Sequence, residues 1–167
     1  MNPDQHNSSV KFLRFGIYVT QLSLCRDYFC IQKIQNKMNY YNIKSIANAN
    51  FEDIKAKVLK GLQDEGFGVL TEIDLKSIMK KKLDKDYLPH TILGACNPVY
   101  ADKVLQIEPN ISTMLPCNVT IKELKNGTIE VATINPAAAM GSVNNAEIIE
   151  LAKEVQAKLL KVLEGFG

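Results

Sequence analysis

The pair Asn126-Gly127 stands between two strand-like segments, 117–124 and 128–134. Asn-Gly supplies the positive-φ conformations that a tight hairpin demands, so these segments are predicted to run antiparallel. That excludes a purely parallel sheet. Helical periodicity lies on both sides of the hairpin. Phe51, Ile54, Val58 and Leu62 recur every three or four residues, with Asn48 or Asn50 as N-cap, Glu52 and Asp53 in the first turn and Gly66 as the stop, which predicts a helix to about Glu65. A last helix starts near Asn144 or Asn145 and carries Ile148, Leu151, Val155, Leu159 and Val162 to Leu163 on one face. Helices mixed with an antiparallel hairpin predict a two-layer α+β single domain with a largely antiparallel sheet.

The remaining elements follow the same logic. A short strand carries Tyr41, Ile43 and Ile46 on one face, and Gly68 to Ile73 is a second strand. Asp74 caps a helix bearing Leu75, Ile78, Met79 and Leu83, whose Lys80-Lys81-Lys82 end is read as a solvated C-terminus, where cations complement the dipole. Thr91 to Ala95 is a third strand, and Asn97-Pro98 is a cap with Pro at the first helical position. Glu108-Pro109-Asn110 ends that helix, Ile111 to Leu115 form another helical turn, and Asn135-Pro136 breaks the last strand. Ala137 to Val143 is small and flexible in composition, as suits a loop that something approaches closely.

Charge removes one class of partner. Twenty Lys and Arg against 18 Asp and Glu leave +2, which argues against a nucleic-acid binder. The balance is uneven along the chain: residues 1–38 hold five cations and two anions, the remainder fifteen and sixteen. The apolar run 11–24 is too short to span a membrane and is interrupted by Arg14. Thr20, Gln21 and Leu24 spoil a secretory signal, and Leu24 is too large for a lipoprotein cleavage site before Cys25. Residues 1–38 are therefore read as an N-terminal extension, from an upstream start or a disordered or amphipathic segment, and residues 39–167 as the domain. Four Cys with no Cys-x-x-Cys pair indicate a reducing, cytoplasmic compartment and no membrane.

Two cysteines stand in matched settings, Gly94-Ala95-Cys96-Asn97-Pro98 and Leu115-Pro116-Cys117-Asn118-Val119. One closes a strand and the other opens the next. At a common sheet edge the two thiols would face one mouth, with Asn97 and Asn118 as donors beside them. Cys96 also precedes a helix N-terminus, where backbone N–H groups favour a thiolate, so it is the expected attacking sulfur. Gly94, Cys96, Asn97, Pro116, Cys117 and Asn118 are the candidate ligand-binding residues, with Ala137 to Ser142 closing the cleft. Cys96 and Cys117 are the candidate catalytic pair; free Cys packed without reactivity is the competing reading. His90 lies a strand's length from Cys96, so no metal site is assigned. Glu72 and Asp74 share a strand face, but Asp74 reads first as a helix cap. No phosphate-binding, dinucleotide or nucleophile-elbow motif is present, and no cofactor is indicated.

The segments Gly66-Phe67-Gly68-Val69-Leu70-Thr71-Glu72-Ile73-Asp74, Ile92-Leu93-Gly94-Ala95-Cys96-Asn97-Pro98 and Leu115-Pro116-Cys117-Asn118-Val119, with the Asn135-Pro136 break, resemble family 302 of the domains of unknown function. The resemblance covers about Tyr40 to Leu163. It implies a small α+β fold, a homodimer, a bacterial or archaeal cytoplasmic setting and no established activity. The chain resembles the branch with Cys at both positions; other members carry Gly or apolar residues there, so the fold does not require the thiols. Leu83-Asp84 departs from the Leu-Gly of many relatives, which frees the loop before Tyr87 to run differently. The expected role is thiol-dependent small-ligand binding or sulfur and redox handling through Cys96 and Cys117. The alternative is a non-catalytic homodimeric binding or adaptor module with packed cysteines.

Overall fold

The computed structural model describes residues 40–166, so the expectations for residues 1–38 fall outside the described residues. The elements run β1 (Tyr41–Ile46), α1 (Phe51–Asp64), β2 (Gly68–Asp74), α2 (Leu75–Leu83), β3 (His90–Cys96) and α3 (Pro98–Ile107). A 3-10 segment (Pro109–Met114), β4 (Cys117–Glu123), β5 (Ile129–Ile134), α4 (Pro136–Ala139), a second 3-10 segment (Met140–Val143) and α5 (Ala146–Glu164) complete the order. The strands form one sheet in the order β1-β5-β4-β3-β2. Every neighbouring pair is antiparallel.

Local chemistry sets the boundaries. Asn50 caps α1 by accepting from the amides of Glu52 and Asp53, and Gly66 beyond the helix takes φ 83°. The side chain of Asp74 accepts from the amide and hydroxyl of Ser77, which caps α2 and holds its carboxyl below the usual range. Glu72 pairs with Lys55, so the two acids serve different partners. At the other end of α2, Lys80 pairs with Asp84 and Asp86. Asp84 itself adopts the left-handed conformation, φ 51°, that a Gly would take at lower cost. Gly127 has φ 74° in the β4–β5 turn, as the Asn-Gly pair demands.

Alternation along the strands divides the sheet into two faces. Leu93, Val119, Ile121, Ile129 and Val131 point to one face and are buried against Ile54, Val58 and Leu62 of α1 and Val155, Leu159 and Val162 of α5. Thr120, Lys122, Glu130 and Ala132 point to the other face, where no described helix packs on them. Tyr41 and Ile43 share that uncovered face, but Ile46, five positions on, packs on the core. The expected single face for all three fails because a strand alternates with period two. A second cluster, Val104, Ile111, Met140, Ile148 and Ala152, joins α3 and the two 3-10 segments to α5.

Two further expectations change. Residues 137–143 are not an open loop: α4 and the following 3-10 turn fold them down, and Met140 is buried. In α2 none of the periodic apolar residues is buried, and Ile78 and Leu83 are exposed.

Candidate functional site

The β3–β4 register sets Cys117 opposite Ala95, the residue before Cys96. Cys96 and Cys117 are both free and lie at the same end of the sheet. They line a common chamber of about 30 Å³ with Ala95, Tyr100, Leu115 and Met140. Its walls draw on both core clusters, Phe67 and Val155 from one and Val104 and Met140 from the other. Cys96, Phe67 and Ala101 also line an open groove of about 600 Å³ beside Gly66, Gly68 and Leu70. Cys96 thus stands in the wall between chamber and groove.

Chemistry at the pair differs from the expected thiolate. Burial pushes Cys96 above the ordinary thiol range, and the amides at the start of α3 do not reverse it. Cys117, 7 % exposed, is pushed up to about 11 by burial and then by the neighbouring Cys96. At neutral pH both sulfurs are protonated, which is the reverse of an activated nucleophile.

The two asparagines do not serve as paired donors at a mouth. Asn97 is a structural cap: its Oδ1 accepts from the Val99 amide at 3.2 Å, and its Nδ2 donates to the Glu65 carbonyl at 3.4 Å. Asn118 follows Cys117 on a strand and so points to the opposite face, where it lies across from Gly94 and is exposed. It lines a shallow concavity of about 550 Å³ on the uncovered face with Tyr41, His90, Thr120, Lys122 and Ile134. A Cβ at Gly94 would fall inside contact distance of Thr71 Oγ1 and at 2.8 Å from Pro116 Cγ. Gly94 and Pro116 thus pack against each other. Of six expected ligand residues, Cys96, Asn97 and Cys117 reach the chamber.

His90 starts β3 opposite Lys122, while Cys96 ends the strand opposite Gly68. Burial and the nearby Lys122 hold its imidazole below the usual range. Among the described residues no three His, Cys, Asp or Glu gather into a metal-sized cluster. Met140 lay within the segment expected to close the cleft, whereas sequence reasoning missed Tyr100. Met140 had a signal, since a lone large apolar side chain among small residues marks an anchor. Tyr100 enters through the geometry of α3; its hydroxyl donates to Glu154 at 2.9 Å.

One five-stranded antiparallel sheet, covered by helices on one face, defines a two-layer α+β domain. The chain belongs to the family described as Domain of unknown function DUF302, whose pattern matches residues 41–166. An uncharacterized protein of Aquifex aeolicus (strain VF5) is 29% identical over 101 residues, 60% of this chain and 62% of that protein. The chain thus spans less than two thirds of this curated relative. The crystal structure of an uncharacterized conserved DUF302 protein from Bacillus stearothermophilus superposes with TM-score 0.72 at 22% identity. It covers 78% of this chain and all of the other, which establishes the fold. No described helix is long and apolar enough to cross a membrane.

Proposed function

We propose that this chain is a thiol-dependent binding protein of a reducing, cytoplasmic compartment, from the branch of its family with Cys at both strand ends. Cys96 and Cys117 act together on a thiophilic species of atomic size. The observation that carries this is the register setting Cys117 opposite Ala95, which brings both free thiols to one chamber. At about 30 Å³ the chamber has room for one water-sized body and none for an organic ligand. A water there would be poorly served, because Asn97 and the Tyr100 hydroxyl already spend hydrogen bonds elsewhere. Attack by a Cys96 thiolate has less support, since both thiols are shifted toward the neutral form.

The test uses the full chain with Cys25→Ser and Cys30→Ser, so that only the pair reports. Iodoacetamide should label slowly at neutral pH, whereas Hg2+, which takes two thiolates, should bind at one equivalent and block both. Absence of Hg2+ uptake by the native fold would leave the cysteines as packed residues.

A second reading has its own observation. Helix α2 buries none of its residues, and Leu70, Ile73, Ile78, Leu83, Tyr87 and Leu88 are all exposed around it and the edge strand β2. An edge strand beside an uncovered apolar helix is suited to a second copy of the chain. A homodimer formed there would make the protein a non-catalytic binding or adaptor module. Sedimentation of the reduced protein at micromolar concentration should give the dimer mass, and a single monomer species would end this idea.

A further inference from the structure

The chamber between the core clusters has a third sulfur. Met140 is 6 % exposed, belongs to the second cluster and lines the chamber beside Cys96 and Cys117. Deepening the thiol-dependent reading, on which it rests, we infer that Cys96 Sγ, Cys117 Sγ and Met140 Sδ form a three-sulfur site for a soft monovalent cation, Cu(I).

Donor chemistry selects the ion. Thiolate and thioether are the ligands that soft Cu(I) prefers, whereas Mg2+ and Ca2+ need oxygen and structural zinc takes four nitrogen or sulfur donors. Here no imidazole or carboxylate joins the sulfurs; His90 begins β3 at its far end, and the chamber's remaining walls include Phe67, Ala95, Val104 and Val155, with Asn97 and Tyr100 as the polar members. A single ion fits a space of about 30 Å³. The groove shared by Cys96, Phe67 and Ala101 gives a way in from solvent.

The binding step is an exchange without electron transfer. Each thiol loses its proton to solvent, two sulfur–copper bonds form, and the thioether adds a third without releasing a proton. Copper stays monovalent throughout. Two thiolates and one Cu(I) carry a net charge of −1, placed beside the N-terminus of α3, which Asn97 caps. The positive end of that ten-residue helix favours a negative complex. Because each thiol gives up its proton on binding, loading should release close to two protons per copper.

The experiment is anaerobic Cu(I) titration of the full chain carrying Cys25→Ser and Cys30→Ser, in competition with bicinchoninate and in weak buffer that reports proton release. One Cu(I) per chain is expected, with loss of uptake in Cys96→Ser and Cys117→Ser. Met140→Leu, which keeps apolar volume, should weaken binding by at least the roughly tenfold that losing even an outer-shell partner costs. Copper X-ray absorption of the loaded protein should find three sulfur neighbours; if a Cys variant does not fold, this measurement stands alone. Unchanged affinity in Met140→Leu, or two sulfur neighbours, would overturn the three-sulfur site. Hg2+ uptake without Cu(I) uptake would overturn the copper assignment and leave thiol-dependent binding standing, while failure of both ions would remove both.

Discussion

Gly94→Ala separates a packing requirement from a ligand requirement in the middle of the Cys-Asn region. The new methyl would fall against Thr71 Oγ1 and lie 2.8 Å from Pro116 Cγ, closer than real Cβ contacts come. Thr71 can rotate away, because it lies on an exposed edge strand. The Pro116 ring has less freedom. Overpacking of this kind costs about 1–3 kcal/mol. Against it stands the roughly 0.4–1 kcal/mol gained by restricting the unfolded chain when Ala replaces a Gly of ordinary backbone geometry. The net expectation is a loss of about 1–2 kcal/mol, or a melting temperature lowered by roughly 3–8 °C for a domain of this size. Thr71→Ala in the same chain removes one of the two obstructions and should return part of the loss, with a coupling above about 0.5 kcal/mol. Urea denaturation of the wild type, both single variants and the double variant measures it. An unchanged midpoint in Gly94→Ala, or no recovery in the double variant, would refute the steric account. Reduced Hg2+ uptake with unchanged stability would instead make Gly94 a ligand-approach position.

Asn97→Ala removes the α3 cap and the tie to the Glu65 carbonyl; it should cost about 1–2 kcal/mol in urea denaturation, and a loss below a few tenths would show the cap to be idle. The Cys117 thiol, raised to about 11 in the fold, keeps its proton longer than it does in the unfolded chain. Its contribution is therefore present below about pH 9 and lost as pH climbs toward 11, on the order of 2–3 kcal/mol, and Cys117→Ala should flatten that fall in a series of melts. A chain trimmed to residues 38–167 should melt cooperatively within roughly ten degrees of the full chain; a larger drop would mean that the N-terminal segment packs as part of the fold.

Much of the fold was legible because its signals are local. Asn50, Asp74, Asn97 and Asn145 each accept amide hydrogen bonds at a helix start, and each precedes a run of helical apolar spacing. Gly66 and Gly127 stop or turn the chain where positive φ is needed. What sequence could not give was the environment of an element once formed. Leu75, Ile78, Met79 and Leu83 have the spacing of a buried helix face, yet α2 follows the edge strand, beyond the reach of the core under α1 and α5. Residues 137–143 misled in the opposite direction: small side chains read as an open loop allowed α4 and its 3-10 turn to pack closely, bringing Met140 inward.

The site shows how far a repeated dipeptide can be trusted. Cys-Asn occurs twice, but in one copy the Asn lies on a strand and in the other it lies beyond one. In β4, period two sends Cys117 inward and Asn118 to the uncovered face, where the cross-strand partner is Gly94. After β3 the chain turns into α3, and Asn97 bends back to cap it and to hold the Glu65 carbonyl. The thiols share a chamber because both copies sit at the same sheet edge, a fact of register, while the asparagines diverge because each obeys its local backbone. A donor arrangement inferred from matched sequence therefore fails, while the two cysteines of the same match line one chamber. Met140, which shares the chamber wall with the two cysteines, arrives from α4's end of the chain, more than twenty residues away, through packing alone.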